Sequence, residues 1–381
     1  MKKWIIIILL FLITGIYTSL SGQDYSDVDY VGVFLEWTAT SPASKPDQIR
    51  LDPFDNDIVW FTQPSIHGLA KFNFKTKSLT QYDTEGRYRP DGLVIDDAGV
   101  LWFGEQSAGT LGKFDPQTEE FEHYKVPYRK SNPAIPTVDK DGNIWISDHM
   151  NGRMIRFDPK EKSFLAIKAP TRHSWVVDMK ADSRNRIWYS CYESNRIGVI
   201  DENREEIIEY VLPNRDSGPA FLAIDSNDHI WFTEWKSNRI GRFDPQRKVF
   251  IEYQFPTSNP GPAAITIGSD DIIYFSTKHL NSIVMFDPQD EEYFYTFQIP
   301  TSESGQKDGI TVDENGVIWF TEFDKNKFAR VTILPTEGFQ VPGNSVPNRT
   351  IKKVTRMNAF KSIREYKKRV VHEVRYAKLK N

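Results

Sequence analysis

Cysteine is almost missing from this chain. Cys191 is the only one in 381 residues, so no internal disulfide can staple the fold, and the small disulfide-framework class of domain is excluded. Histidine is scarce too, with seven residues at differing phases and none in the spaced pairs that hold zinc. Gly-x-Ser-x-Gly, phosphate-loop and paired-cysteine motifs are absent, which removes the common signatures of serine hydrolases, nucleotide enzymes and dithiol chemistry. No long helical periodicity occurs before residue 350. With 39% hydrophobic and 13% aromatic residues, the chain still has material for a large core, and that core has to be built from strands.

What the chain has in abundance is one phrase, repeated. An aromatic residue within an apolar strand returns at Trp60, Trp102, Trp145, Trp188, Trp231, Tyr274 and Trp319. The steps between them are 42, 43, 43, 43, 43 and 45 residues, the length of one four-stranded propeller blade. Whole units superimpose: Asp139 to Phe157 reads DKDGNIWISDHMNGRMIRF, and Asp225 to Phe243 reads DSNDHIWFTEWKSNRIGRF. Each unit opens on an Asp with a Gly or Asn turn, runs through the aromatic strand, turns near Asn and enters a second strand. Phe-Asp-Pro then marks a hairpin at residues 114–116, 157–159, 243–245 and 286–288, with Asp and Pro where a type I turn takes them. The pattern predicts an all-β, seven-bladed β-propeller of four-stranded blades over residues 31–335, one folded domain because no blade buries both faces alone.

The seventh unit runs out after residues 328–334 and lacks a fourth strand. Val33-Phe34-Leu35-Glu36-Trp37 reads like the end of a repeat, and Thr38 to Asp47 like the entry to the next. This N-terminal strand is expected to pair with the seventh blade and close the ring, which removes the open edges of an acyclic array.

Two appendages flank the ring. Lys2 and Lys3 precede the apolar run Trp4 to Ile13 and the small residues Ser19-Leu20-Ser21-Gly22. Residues 1–22 read as a secretory signal peptide, giving a secreted or periplasmic protein, with an uncleaved signal anchor as the alternative. After a linker at 336–350, residues 351–381 carry eleven Lys or Arg against two Glu, so residues 23–350 hold a net charge of about −15. Val354, Met357, Phe360, Ile363, Tyr366, Val370 and Val374 recur every three or four residues, the pattern of a basic amphipathic helix. Such a helix either docks on its own acidic ring or meets a membrane surface or partner. No nucleic-acid partner is expected of a secreted chain, and a monomer is.

The wording of the repeats carries a resemblance. Ile230-Trp231-Phe232-Thr233-Glu234, followed by Ser237-Asn238-Arg239-Ile240-Gly241-Arg242, and Ile318-Trp319-Phe320-Thr321-Glu322 closely resemble the blades of streptogramin (virginiamycin B) lyases over about residues 31–335. The resemblance implies a seven-bladed propeller and, in true lyases, a magnesium-assisted elimination that linearises a cyclic depsipeptide at its ester. It further implies a histidine in the sixth repeat, a Glu-x-His before the seventh inner strand and a Glu three residues beyond the seventh tryptophan. Here those places read Ala263, Gln306 with Asp308, and Glu322, so only Glu322 matches. Elimination needs a base for the proton α to the carbonyl, and the imidazole that would supply it is replaced.

The period also serves as a ruler. Corresponding inner-strand positions are Asp47, Asp91, Ala134, Val177, Ala220, Ala263 and Asp308, and the positions three past the anchors are Gln63, Glu105, Asp148, Cys191, Glu234, Thr277 and Glu322. Blades seven, one and two are neighbours, so Asp308, Asp47 and Asp91 are expected on one side of a central funnel, facing small apolar residues. Asp308 and Glu322, with Asp47 and Asp91, are candidate ligands for a hard cation such as Mg2+ or Ca2+. Gln306 and Ala263 join Asp47 and Asp91 as candidate ligand contacts, and His149, His279, Trp175 and Trp235 stand near the mouth. Glu105 and Glu234 read as structural acids, and Cys191 as packed. Two functions fit: a propeller that binds a small molecule or protein through its funnel, or an atypical metal-dependent lyase or hydrolase of a cyclic ester peptide or lactone, with Asp308 and Glu322 catalytic.

Overall fold

The computed structural model describes residues 30–335 apart from 40, 85–87, 204–205, 256–259, 290–293 and 307, together with 354–356, 372–373 and 376–378. Seven antiparallel sheets follow one another along the chain. Blade one shows the plan: Ile49–Leu51 is innermost, then come Ile58–Gln63, Gly68–Asn73 and Ser78–Asp83. Burial follows that order. The second strand is buried at every residue, whereas the outermost alternates between exposed and half-buried, as an edge facing water does.

Innermost strands touch their neighbours all the way round. The circuit runs from Leu93–Ile95 through Pro133–Val138, Val176–Ala181, Pro219–Ile224, Pro262–Ile267, Ile310–Val312 and Ile49–Leu51 back to its start. Closure comes from the N-terminal strand. Tyr30–Thr38 lies antiparallel to Lys327–Pro335, with Val33 opposite Thr332 and Trp37 opposite Phe328, and forms the outer edge of blade seven. Trp37 stacks on both Trp319 and Phe328, with ring centroids 5.7 Å apart in each case. Replacing one such buried ring by Ala typically costs about 3–5 kcal/mol.

The anchors are fixed by more than packing. In blades one to five the indole Nε1 of Trp60, Trp102, Trp145, Trp188 and Trp231 donates to Oδ2 of Asp52, Asp96, Asp139, Asp182 and Asp225 at 2.8–2.9 Å. The other oxygen of the same carboxylate holds the turn, as Asp139 Oδ1 does for the amides of Asp141 and Asn143. One aspartate thus shapes the loop and satisfies a buried indole, whose unpaired N–H would be costly. The sixth unit changes both partners together: Gly268 stands where the Asp would be and Tyr274 where the Trp would be. At the hairpins Asp115, Asp158, Asp244 and Asp287 accept the amide two residues on, which is the turn chemistry the Asp-Pro pairs specify.

The expected tail helix is not seen in the parts of the tail that are described. Val354–Arg356, His372–Glu373 and Tyr376–Lys378 are extended and pair with the outer strands of blades six, five and four. Those edges offer unpaired backbone groups that an extended segment satisfies and a helix does not. The remainder of 351–381, the linker and residues 1–22 lie outside the described residues. Among the described residues no helix is long and apolar enough to cross a membrane.

Candidate functional site

The inner strands of blades three to six have an irregular register, as between Pro133 and Pro136, and in every blade but the second, where Gly104 stands, a hydroxyl lies two residues past the anchor. Thr62 Oγ1 accepts the amide of Gln48 at 3.1 Å in its own blade and donates to the carbonyl of Asp91 in the next, at 2.9 Å. Thr321 Oγ1 donates to the carbonyl of Asp47 at 2.6 Å, and Ser190 Oγ joins the amide of Asp178 to the carbonyl of Ala220. The residues that head the inner strands are therefore fixed by their neighbours as well as by their own blade.

Glycine tightens the acidic side further. A Cβ on Gly92 would lie 2.5 Å from the Cα of Ile135, and one on Gly309 would lie 2.0 Å from the carbonyl oxygen of Asp47. The residue after Asp91 and the residue after Asp308 can only be glycine at this approach. The result is convergence: one carboxylate oxygen from each of Asp47, Asp91 and Asp308 lies within 4.8 Å of the others. Asp47 is buried and the other two are half-buried. Gln106 Nε2 donates to Asp91 Oδ2, and Gln48 Nε2 donates to the carbonyl of Asp308 at 2.8 Å. Two ionised carboxylates at that spacing repel by roughly 3 kcal/mol at an effective dielectric of 20. An all-oxygen donor set under that repulsion suits a hard divalent cation.

The opposite side is apolar. Ala134, Val177 and Ala220, which hold the place of the aspartates in blades three to five, pack with Ile135, Phe221 and Ile265, and Tyr192 and Trp235 lie against that cluster. Trp175 stacks on Tyr192 with centroids 6.3 Å apart, and His149 meets its edge at 5.8 Å. His279 packs beside Gly261. Ala263 is fully buried. Gln306 is buried with its Nε2 on Ser304 Oγ at 3.1 Å, while its Oε1 is enclosed without a hydrogen bond.

Glu322 stands apart from the aspartates and belongs to neither the converging group nor the axial cavity. All residues three past the anchors are buried inside their blades. Asp148 binds Arg153 at 2.5 Å and accepts the amide of Asn132 at 2.7 Å. Glu105 meets Thr110 Oγ1 at 2.5 Å and His123 Nδ1 at 3.0 Å. Glu234 accepts from Ser237, and burial together with the carboxylate of Glu252 pushes its pKa up to about 7. Cys191 is packed, and burial pushes its thiol up, away from reactivity. Burial and the carboxylate of Glu36 push Glu322 up to about 8, while Lys327 Nζ sits 3.0 Å from Glu36 Oε2.

Sequence reasoning missed a second set of charges. Along an inner strand alternate residues face the axis, and the residues one and three beyond the aspartate position line an axial cavity of about 140 Å³. In blade one these are Gln48 and Arg50, and in blade four Asp178 and Lys180. The same repeat ruler, advanced by one and by three, would have found them.

Seven four-stranded blades around a cavity lined from the innermost strands define a β-propeller whose polar centre lies on its axis. The chain belongs to the virginiamycin B lyase family, whose model matches residues 119–358. It is similar to virginiamycin B lyase from Staphylococcus aureus, with 24% identity over 79% of this chain and 99% of that one and a TM-score of 0.73. A catalytically inactive histidine-to-alanine variant of virginiamycin B lyase from S. aureus, with quinupristin, is similar at 25% identity, with the same coverage and a TM-score of 0.73. The extracellular domain of a hybrid two-component system from B. thetaiotaomicron shares the fold at 16% identity, over 76% of this chain and 40% of that one, with a TM-score of 0.57. A comparison with curated proteins gives no match.

Proposed function

We propose that this chain is a binding propeller that takes a small ligand at the acidic mouth of its funnel, with Mg2+ or Ca2+ held by Asp47, Asp91 and Asp308. The observation that carries the reading is the convergence of three carboxylates from three blades within 4.8 Å, facing an apolar and aromatic wall. A bound cation would supply charge with which to hold a carbonyl or hydroxyl of the ligand, and the wall would take a ring or an alkyl face. Ala263, Gln306 and Asp308 stand where the family resemblance places two histidines and a glutamate, and this supports binding without the family's elimination. The inactive S. aureus variant with quinupristin offers a parallel for a frame that lacks a histidine. Glu322, buried in blade seven beside Glu36, is assigned to structure. Export through residues 1–22, and contact of the basic tail with an anionic surface or partner, belong to the same proposal.

The test is a calorimetric titration of the chain with Ca2+ and with Mg2+, repeated with D308N and E322Q, alongside incubation with a cyclic ester peptide analysed by mass spectrometry. Saturable cation binding that is lost in D308N and kept in E322Q, with the peptide left intact, is the expected result. A ring-opened product that disappears in E322Q or D308N would replace this reading with the lyase one, and an absence of cation binding would remove the metal.

A further inference from the structure

We propose that the axial cavity contains an anion site one layer below the aspartates, formed by Arg50 and Lys180, which takes the phosphate or carboxylate head of a small ligand. The inference rests on the reading above only in sharing its cavity. Arg50 and Lys180 occupy the same register, three residues after Asp47 and three after Val177, in blades one and four, and both line the cavity. A strand rises about 3.3 Å per residue, so this layer lies roughly 10 Å along the axis from the three carboxylates.

The charges at this level do not balance. Asp308 lines the cavity toward the mouth, Asp178 is the carboxylate that acts on both cations, and the oxygens of Asp178 are already engaged. They accept Lys180 Nζ at 2.7 and 2.8 Å, the amide of Met179 at 2.8 Å and the amide of Leu222 at 3.0 Å. Arg50 donates from Nη1 to the carbonyl of Ile49 at 2.7 Å. Among the described residues no carboxylate forms an ion pair with it. A guanidinium carries five N–H donors in a planar fork that matches the oxygens of a carboxylate or phosphate, and the protein uses one of them. Burial lowers the pKa of both cations, and Arg50 lowers that of Lys180 further, so an anion between them relieves both. Thr266 and Thr311 add hydroxyl groups at the same level, while Ile135 and Phe221 supply an apolar side. A volume of about 140 Å³ admits a head group and a few carbons and excludes a whole cyclic peptide.

Titration of the full chain with inorganic phosphate and, separately, with acetate, at an ionic strength fixed by chloride, is expected to show saturable one-site binding in at least one arm. R50Q leaves no carboxylate orphaned and is expected to fold; it should weaken that binding tenfold or more while binding Ca2+ as the parent does. R50K, which keeps the charge and loses the fork, should fall between the two and serves in its place should R50Q misfold. No saturable binding in either arm, or undiminished affinity in a folded R50Q or R50K, overturns the proposal. Failure of the parent to bind Ca2+ removes the metal at the mouth and leaves the phosphate and acetate measurement standing.

Discussion

Two rows of acidic residues run around this ring at the same period, and the structure treats them oppositely. The row that heads the inner strands, Asp47, Asp91 and Asp308, gathers at the axis with its charges aimed at one another. The row three past the anchors is entombed inside the blades, where Glu105, Asp148 and Glu234 are paired with His, Arg or Ser and Glu322 faces the carboxylate of Glu36. Equal spacing in sequence thus yields two different jobs, because a shift along the blade moves a side chain from the central channel to the interior of a sheet. The inner row reads as a site held open by glycine and hydroxyl staples. The outer row reads as framework.

That contrast sets an order of expected effects. Deleting residues 30–38 removes Glu36, the carboxylate that faces Glu322, together with the strand that closes the ring. Circular dichroism should show the cooperative thermal transition lost altogether, and a normal melt would mean that blade seven closes without it. Asp148→Ala leaves Arg153 in a largely buried place without its carboxylate and should cost about 3–5 kcal/mol in urea unfolding; a loss below 1 kcal/mol would make the framework row dispensable. Glu322 gives a dependence on pH. Its pKa is about 8 in the folded chain against an ordinary 4.5, so between those values only the folded state holds the extra proton. Its stabilising share is complete below about pH 4.5 and declines as pH rises through about 8. Melts at pH 5 and pH 8 should therefore differ by less in Glu322→Gln than in the parent, by about 3 kcal/mol. Asp91→Asn, on the axial row, should change stability by no more than about 1 kcal/mol, and in the stabilising direction, because it relieves repulsion. A large loss there would make the axial aspartates framework as well.

The ring was legible because a tryptophan every 43 residues has few architectural readings, and Val33 to Trp37 supplied the missing strand. Convergence of Asp47, Asp91 and Asp308 followed from the order of the blades alone. Other features were hidden for physical reasons. The bond from the indole in blades one to five to the aspartate six or eight residues earlier is silent in composition, although the joint change to Gly268 and Tyr274 in blade six betrays it. Arg50, Asp178 and Lys180 are offset by one or three residues from the aspartate register, and the repeat does not show that the pleat turns those positions to the axis as well. Glu322 shared a motif with the family's acid, and the motif could not show that its nearest charges are Glu36 and Lys327. The tail has the periodicity of a helix, and its described residues, 354–356, 372–373 and 376–378, are extended along the open strand edges of blades six, five and four.

The closing pair has a temporal side. Tyr30–Thr38 finds its partner nearly 300 residues downstream, at Lys327–Pro335, so during synthesis it has nothing to pair with until the last repeat is made. Long-range pairing of this kind is slow to form and leaves an edge exposed while it waits. The axial centre, which draws on blades seven, one and two, is complete only once that last repeat is in place and the ring has closed.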